Sequence, residues 1–118
     1  MKFIIYAGRD FKADFTVVSG DGTTPEVLDP ADTATFSAQT SGDNPVAILT
    51  DIPMTLIDAD NGMFELTLTA AQTSEFKQYL GFQEDGYGTI GNNTGYLDFT
   101  LVSGDRQATI NIGVKEVV

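Results

Sequence analysis

The residues best suited to chemistry in this chain are three serines, each followed by glycine and aspartate. A serine nucleophile needs a neighbouring base to accept its proton, and the chain contains no histidine for that role. No lysine stands at a spacing that pairs it with one of these serines, and the absence of cysteine excludes a thiol nucleophile. We therefore predict no catalytic residue and no enzymatic activity. We interpret the three motifs as turns: Ser19-Gly20-Asp21, Ser41-Gly42-Asp43 and Ser103-Gly104-Asp105.

Acidic residues are the other candidates for chemistry, as metal ligands or as paired acid and base. The segment Asp58–Gly62 resembles the start of a calcium loop, but an EF-hand needs glycine at its sixth position and glutamate at its twelfth. Here glycine is fifth and a strand pattern follows it, so we interpret Asn61-Gly62 as a hairpin signal. Paired carboxylates that cleave glycosides are not excluded, but no pair is marked out. We predict no metal and no cofactor.

The charge of the chain limits its partners. It carries 17 acidic and 6 basic residues, a formal net charge of −11. Such a surface repels the phosphates of nucleic acid, and it favours solubility or docking on a basic partner. No apolar run is long enough to cross a membrane, and Lys2–Tyr6 is too short for a signal peptide. We therefore expect a protein made in a cytoplasm, with no nucleic-acid partner and no membrane partner.

Apolar and polar residues alternate along most of the chain, which is the pattern of strands with one buried and one solvated face. The clearest cases are Phe11–Val17, Phe64–Thr69, Leu97–Leu101 and Ala108–Val114. Turn residues separate these segments at short intervals. The pattern predicts an all-β fold in a single domain over residues 1–118. The architecture that we expect is an immunoglobulin-like antiparallel β-sandwich of about seven or eight strands.

One segment departs from the alternation and predicts a short helix near residues 70–80. Its apolar residues Phe76, Tyr79 and Leu80 have helical spacing. Thr69 is placed to cap the helix, with Gln72 three residues later as in a capping box. We expect this helix to cross one end of the sandwich.

An eight-residue pattern occurs twice, at 14–21 and at 98–105, and each copy is typical of a strand that ends in a turn. No other segment repeats at that interval, so the pattern does not indicate a duplicated domain. We expect Phe15 and Phe99 to occupy equivalent layers of one core, with neighbouring strands as one arrangement. The repeat therefore gives information about the fold and none about catalysis or binding.

The longest irregular stretch predicted from the sequence is a glycine-rich loop from Gly81 to Gly95. Long loops in compact domains are often functional, and tyrosine with small polar residues is the composition of recognition surfaces. The aromatic residues could instead fix the loop to the edge of the sandwich. The candidate interaction residues in and beside this loop are Phe82, Glu84, Asp85, Tyr87, Ile90, Asn92, Asn93 and Tyr96.

The order of the segments carries a resemblance. The strand Phe11–Val17 with its Gly-Asp-Gly turn is followed by Thr35–Gln39, by Asp58–Thr73 and by Gly95–Leu101. This succession, over residues 9–117, resembles small immunoglobulin-like virion proteins of tailed bacteriophages, similar to the N-terminal domain of phage baseplate upper proteins. Its most distinctive part is Asp58–Thr73, where alternating apolar residues precede Thr-x-x-Gln-Thr. The chain departs from the pattern in its long loop.

The resemblance implies a virion structural protein, with no catalysis and no cofactor. Its partners would be other virion proteins in a baseplate, tail fibre or other appendage, with self-association left open. The candidate binding surfaces are the loop and the edge strands Lys2–Tyr6 and Arg106–Val117. Two alternatives stay open, namely a capsid decoration protein and a module that binds carbohydrate or a cell surface. A host glycan would then contact Tyr87, Asn92, Asn93 and Tyr96.

Overall fold

The computed structural model describes residues 2–40, 44–79 and 89–116. Within these residues the alternating segments form eight strands, which pack face to face as two sheets. The elements in chain order are β1 (Lys2–Ala7), β2 (Phe11–Thr16), β3 (Thr33–Thr40), β4 (Ala47–Pro53), β5 (Thr55–Asp58), β6 (Met63–Leu68), α1 (Ala70–Ser74), a 3-10 turn (Glu75–Tyr79), β7 (Thr89–Thr100) and β8 (Arg106–Glu116).

The larger sheet has five strands in the order β1-β8-β7-β3-β4, and the smaller sheet has three in the order β2-β6-β5. Eight strands in two sheets, with one short helix, form an all-β sandwich, so the predicted fold class is confirmed. The pairing is not antiparallel throughout, because β1 runs parallel to β8. These two strands lie far apart along the chain, so no tight turn constrains them to be antiparallel.

The core lies between the sheets and consists of the inward-facing residues that alternation predicted. Phe36 and Ile112 come from the larger sheet, Phe64 and Leu66 from the smaller, and each is at most 1% exposed. The rings of Phe64 and Phe99 connect the two sheets, with centroids 5.7 Å apart. Burial of one such side chain contributes about 1.5–3 kcal/mol. These large apolar side chains therefore hold the two sheets together.

The helix α1 begins at the predicted capping box. The N–H of Gln72 donates to Oγ1 of Thr69 at 3.2 Å, and the N–H of Thr69 donates to Oε1 of Gln72 at 2.9 Å. The 3-10 turn continues the helix and buries Phe76 in the core. The predicted short helix is therefore confirmed, with 3-10 geometry in its second half.

Thr73 connects this helix to the turn between β1 and β2. Its side chain is fully buried. Oγ1 accepts a hydrogen bond from the N–H of Gly8 at 3.0 Å, and the hydroxyl donates to the carbonyl of Arg9 at 2.7 Å. One hydroxyl thus satisfies two backbone groups that would otherwise lose free energy on burial. The helix and the β1–β2 turn are held together at one end of the sandwich.

We expect Thr73→Val to lower the free energy of unfolding by about 1–3 kcal/mol, because it leaves both backbone groups without their partner at nearly constant side-chain shape. Thr73→Ser keeps the hydroxyl and is the matched control, with a smaller expected loss. Urea denaturation followed by circular dichroism measures both variants. Equal losses in the two variants would show that the hydroxyl is not responsible.

The two copies of the repeated pattern lie in different sheets. Phe15 is on β2 of the smaller sheet and Phe99 is on β7 of the larger one, so the expectation of neighbouring strands is wrong. Both rings nevertheless enter the same core, from opposite sides. Alternation determines which face of a strand is buried but carries no information about the sheet to which the strand belongs.

β7 begins at Thr89, so the predicted loop is too long and residues 89–95 are strand. Gly95 is paired with strands on both sides. A Cβ atom at Gly95 would lie 2.7 Å from Cδ1 of Ile112 and 2.8 Å from Cγ1 of Ile110. Glycine stands here because the core has no room for a side chain, and it is not a turn residue.

Gly95→Ala should destabilise the protein by about 1–3 kcal/mol, since the new methyl overpacks the core between three side chains. Gly20→Ala is the matched control, because no atom lies within 4 Å of a Cβ there and its φ is not positive. We expect the control to change stability by less than about 0.5 kcal/mol. Urea midpoints of the two variants check this, and a neutral Gly95→Ala would contradict the packing argument.

Candidate functional site

The outer strands of the two sheets differ in how regular their free edges are, and therefore in how readily a further strand could pair with them. On one side of the sandwich, β4 contains Asp51 at a φ of 51°, shifts register twice against β3 and ends in Pro53. β5, the outer strand of the other sheet on this side, is four residues long and has its own register shift. Bulges, prolines and short length are among the features by which proteins keep an edge from pairing. This side is poorly suited to a further strand.

The opposite side, formed by β2, β1 and β8, is regular. β2 pairs with β6 through all six residues without a shift, and no described strand pairs with its other edge. β1 begins at Lys2, opposite Asn111 of β8. Residues 106–110 of β8 therefore pair with β7 alone, within the part of the chain that the structure describes. We call these five residues the uncovered half of β8.

A groove of about 410 Å³ lies between β2 and the uncovered half of β8. Ala108 shares its face of β8 with the buried Ile110 and Ile112, yet Ala108 is exposed, because no described strand covers it. The lining is mostly apolar and includes the phenylalanines of both copies of the repeated pattern. The lining residues are Phe3, Asp14, Phe15, Thr16, Leu97, Phe99, Ala108, Thr109 and Ile110.

A second cavity, of about 210 Å³, shares Thr16, Phe99 and Ala108 with the groove and extends it to Arg106. Both cavities follow the same stretch of β8. The combined space is therefore elongated along a strand.

Side-chain contacts fix both ends of this space. At one end Phe3 packs edge-to-face on Phe15, with ring centroids 5.3 Å apart. At the other end Arg106 crosses from β8 to the segment that follows β2. Its Nη1 donates to the carbonyl of Val18 at 2.7 Å, and its Nη2 pairs with the carboxylate of Glu26. The groove is preformed, which lowers the entropic cost of filling it.

The one charged residue that lines the groove is Asp14, which is exposed. It stands opposite Glu65 in the register of β2 and β6. Lys12 pairs with Glu65 at 3.4 Å, and Arg106 is held by Glu26. Among the side chains that the structure describes, no cation lies within ion-pair distance of Asp14.

The interaction residues predicted from the loop do not form one described surface. Phe82, Glu84, Asp85 and Tyr87 lie outside the described residues. Ile90 and Asn92 belong to β7 and not to a loop, which corrects the sequence prediction. The glycines at 91 and 95 gave this part of the strand the composition of a loop.

Asn93 is 5% exposed, so it is not a surface contact and that expectation is wrong. Its side of β7 is the one that carries Gly95 and Leu97 into the core. An extra residue between Ile90 and Asn93, relative to β8, sets this phase, as a β-bulge does. The alternation of buried residues therefore extends from Leu97 back to Gly95 and Asn93, neither of which has an apolar side chain.

Tyr96 lies on the outer face of the larger sheet, half-buried, and its hydroxyl accepts a hydrogen bond from Nε2 of Gln39 at 3.3 Å. The exposed aromatic residue Tyr6 is opposite Lys115 of β8, whereas Tyr96 is opposite Thr109. At about 3.3 Å per residue, the two positions are roughly 20 Å apart along the sheet. Within the described residues, these two rings do not form a shared platform for a sugar.

The first Ser-Gly-Asp motif is a turn held together by its aspartate. The Asp21 carboxylate accepts hydrogen bonds from the hydroxyl and the N–H of Thr24, from the N–H of Thr23 and from the hydroxyl of Ser19. These bonds, with those of Thr24 the strongest, hold the pKa of Asp21 well below its ordinary value. The serine hydroxyl donates to this carboxylate, as expected of a turn.

The remaining candidates for chemistry also take part in turns or loop contacts. Ser103 donates its hydroxyl to Glu26 at 2.8 Å, and the motif at 41–43 lies outside the described residues. Asp58 accepts the backbone and side-chain N–H groups of Asn61 at 3.2 and 2.8 Å, as in a hairpin turn. In the described part of the chain, no cluster of three or more acidic side chains could hold a metal ion, and no helix is long and apolar enough to cross a membrane.

Comparison with protein-family models finds no family that matches this chain, and comparison with curated proteins finds no matching relative. Function is therefore inferred from the open side of the sandwich and from the order of its segments.

The groove itself was missed in the sequence prediction. Alternation assigns Phe15, Phe99 and Ala108 alike to the core, and it does not show that Ala108 is left uncovered. The groove depends on which strands are neighbours and in what register, and the alternation within one strand does not contain that information.

The lowered pKa of Asp21 predicts that its turn stabilises the fold in a pH-dependent way. In the unfolded chain the pKa is about 3.9, so the ionised carboxylate favours the folded state above that pH. The contribution is lost as the pH falls below about 4 towards the lower folded pKa. We expect Asp21→Asn to have a lower urea midpoint than the wild type at pH 7, by a difference that shrinks at pH 2.5. A difference that stays constant over this range would contradict the prediction.

Proposed function

We propose that this chain is a non-enzymatic structural protein of a tailed-bacteriophage virion, and that it binds other virion proteins through the open side of its sandwich. The virion assignment is supported by the resemblance in segment order, and the binding role by one structural observation. That observation is the difference between the two sides, since β4 and β5 have bulges whereas β2 and the uncovered half of β8 are regular.

A regular open edge favours a binding role for a physical reason. Its unpaired N–H and C=O groups are a template for another strand, and proteins that have no use for such an edge usually blunt it. Addition of a partner strand to an open edge is a common mode of recognition. Here one side has the blunting features and the other has a regular edge beside a preformed apolar groove.

The charge of the chain favours particular neighbours within a virion. With a formal net charge of −11, the chain attracts basic surfaces and repels acidic ones. A baseplate, a tail fibre or another appendage is the proposed location, and capsid decoration is the alternative. A carbohydrate-binding role has less support, because Asn93 is buried and Tyr96 has no aromatic neighbour on its face among the described residues.

The proposal is tested on tailed particles made by the phage or cell whose genome encodes the chain. Particles purified by density gradient are analysed by quantitative mass spectrometry, and an antibody against the chain is located on them by immunogold electron microscopy. We expect the chain at a fixed copy number per particle, with gold at the tail.

A phage enzyme that acts in the cytoplasm is the control and should be depleted from the same particles. Gold on the capsid would replace the appendage location with the decoration alternative. Absence of the chain from the particles, or its loss on further purification, would contradict the virion role.

A further inference from the structure

We propose that Asn61 is a site of covalent self-modification, at which the side-chain amide is lost through a succinimide formed with the backbone nitrogen of Gly62, and that Asp58 slows this reaction. Asn61 lies exposed in the turn between β5 and β6. The inference concerns how the folded chain changes with time, and it does not depend on the virion role.

The reaction needs no partner other than water. The nitrogen of Gly62, once its proton has passed to a base in the solvent, forms a bond to Cγ of Asn61. The bond between Cγ and Nδ2 breaks, and Nδ2 leaves as ammonia after taking up a proton from water. Water then opens the succinimide at one of its two carbonyl groups. One product has aspartate at position 61, and the other has isoaspartate, in which the main chain continues through Cγ.

The residue that follows each asparagine makes Asn61 the most reactive of the five in the chain. Glycine has no Cβ atom, so the nitrogen of Gly62 can approach the side chain that it attacks. Asn44 is followed by proline, whose nitrogen carries no hydrogen. The other three are followed by asparagine, threonine or isoleucine. The side chains of these residues hinder the approach, and those of threonine and isoleucine are branched at Cβ.

Contacts within the turn oppose the reaction while the chain is folded. Nδ2 of Asn61 donates to Oδ2 of Asp58 at 2.8 Å, and the backbone N–H of Asn61 donates to Oδ1 of the same carboxylate at 3.2 Å. Departure of Nδ2 breaks the first of these bonds. The negative carboxylate also disfavours removal of the proton from the nearby nitrogen of Gly62. Asp58 is therefore a positioning residue that protects the amide.

The products should weaken the turn in two ways. With a carboxylate at position 61, the hydrogen bond to Asp58 is replaced by repulsion between like charges. Isoaspartate also lengthens the main chain by an atom before Gly62, which is buried. The carbonyl of Gly62 accepts the N–H of Val17 at 2.8 Å, and a Cβ atom at Gly62 would lie 2.6 Å from the carbonyl oxygen of Glu26. The backbone therefore has no room for the extra atom.

Ageing of the purified full chain in mildly alkaline buffer tests the site. Peptide mapping by mass spectrometry measures amide loss at each asparagine, and an isoaspartyl methyltransferase assay detects isoaspartate. We expect Asn61 to react before the other asparagines, and to react faster in urea than in the folded chain. Asp58→Ala should speed the loss about threefold to tenfold, as expected when one exposed hydrogen bond to a charged group is removed.

Two variants separate the contact with Asp58 from other causes of a faster reaction. Thr73→Val is expected to destabilise the opposite end of the sandwich, where β2 begins beside the end of β6, and it should leave the rate at Asn61 unchanged. Asp60→Ala removes the neighbouring carboxylate and keeps Asp58, and its effect on the rate should be smaller than that of Asp58→Ala.

Stability measurements test the effect of the products. Asn61→Asp reproduces one product and should lower the urea midpoint. Combining Asp58→Asn with Asn61→Asp exchanges the amide and the carboxylate at the wild-type net charge, so it should restore most of the midpoint. Chain that has aged to isoaspartate should have a lower midpoint than Asn61→Asp.

Faster amide loss at another asparagine would overturn the site. An equal rate in Asp58→Ala and the wild type, or an equal acceleration in Thr73→Val, would overturn the role of Asp58. An exchanged pair no more stable than Asn61→Asp would show that repulsion at Asp58 is not the cause of the loss. The virion role fails separately, through absence of the chain from particles.

Discussion

The pairing of β1 with only part of β8 is the constraint on which the open side of the sandwich depends. The parallel register runs from Lys2 opposite Asn111 to Ala7 opposite Glu116, so it brings sequence-distant strands into one sheet. Because β1 has six residues and β8 has eleven, the rest of β8 lacks a partner within the described chain. Within the described residues, the groove lies where β8 extends beyond β1.

Contacts with distant segments fix the position of the residues that follow β2, beside the groove. Just after β2, the N–H of Val17 donates to the carbonyl of Gly62 at 2.8 Å, and the carbonyl of Val17 accepts the N–H of Glu26 at 2.9 Å. The segments around Gly62 and Glu26 lie so close together that a Cβ atom at Gly62 would be 2.6 Å from the carbonyl oxygen of Glu26. Glu26 in turn pairs with Arg106 at the start of β8. Backbone hydrogen bonds and one ion pair thus connect the β5–β6 hairpin, the residues that follow β2, and the start of β8.

Residue types alone were enough to predict the sandwich, most of its strands and the capped helix, because burial of one face leaves an alternating pattern. They were not enough where the core accepts a residue that is not apolar. Asn93 and Gly95 both face inward, so the start of β7 was mistaken for a loop. The groove was not predicted because it depends on which strands pair and over what length, and the pattern of a single strand contains neither.

An open, regular edge is ordinarily a risk, since two copies can pair through it. The formal charge of −11 on each copy opposes that encounter, and screening reduces the repulsion only beyond a Debye length of about 8 Å at physiological ionic strength. Like charge on every copy is therefore one means by which a regular edge is kept from pairing with itself. Repulsion of a wrong partner contributes to specificity in the same way as attraction of a right one.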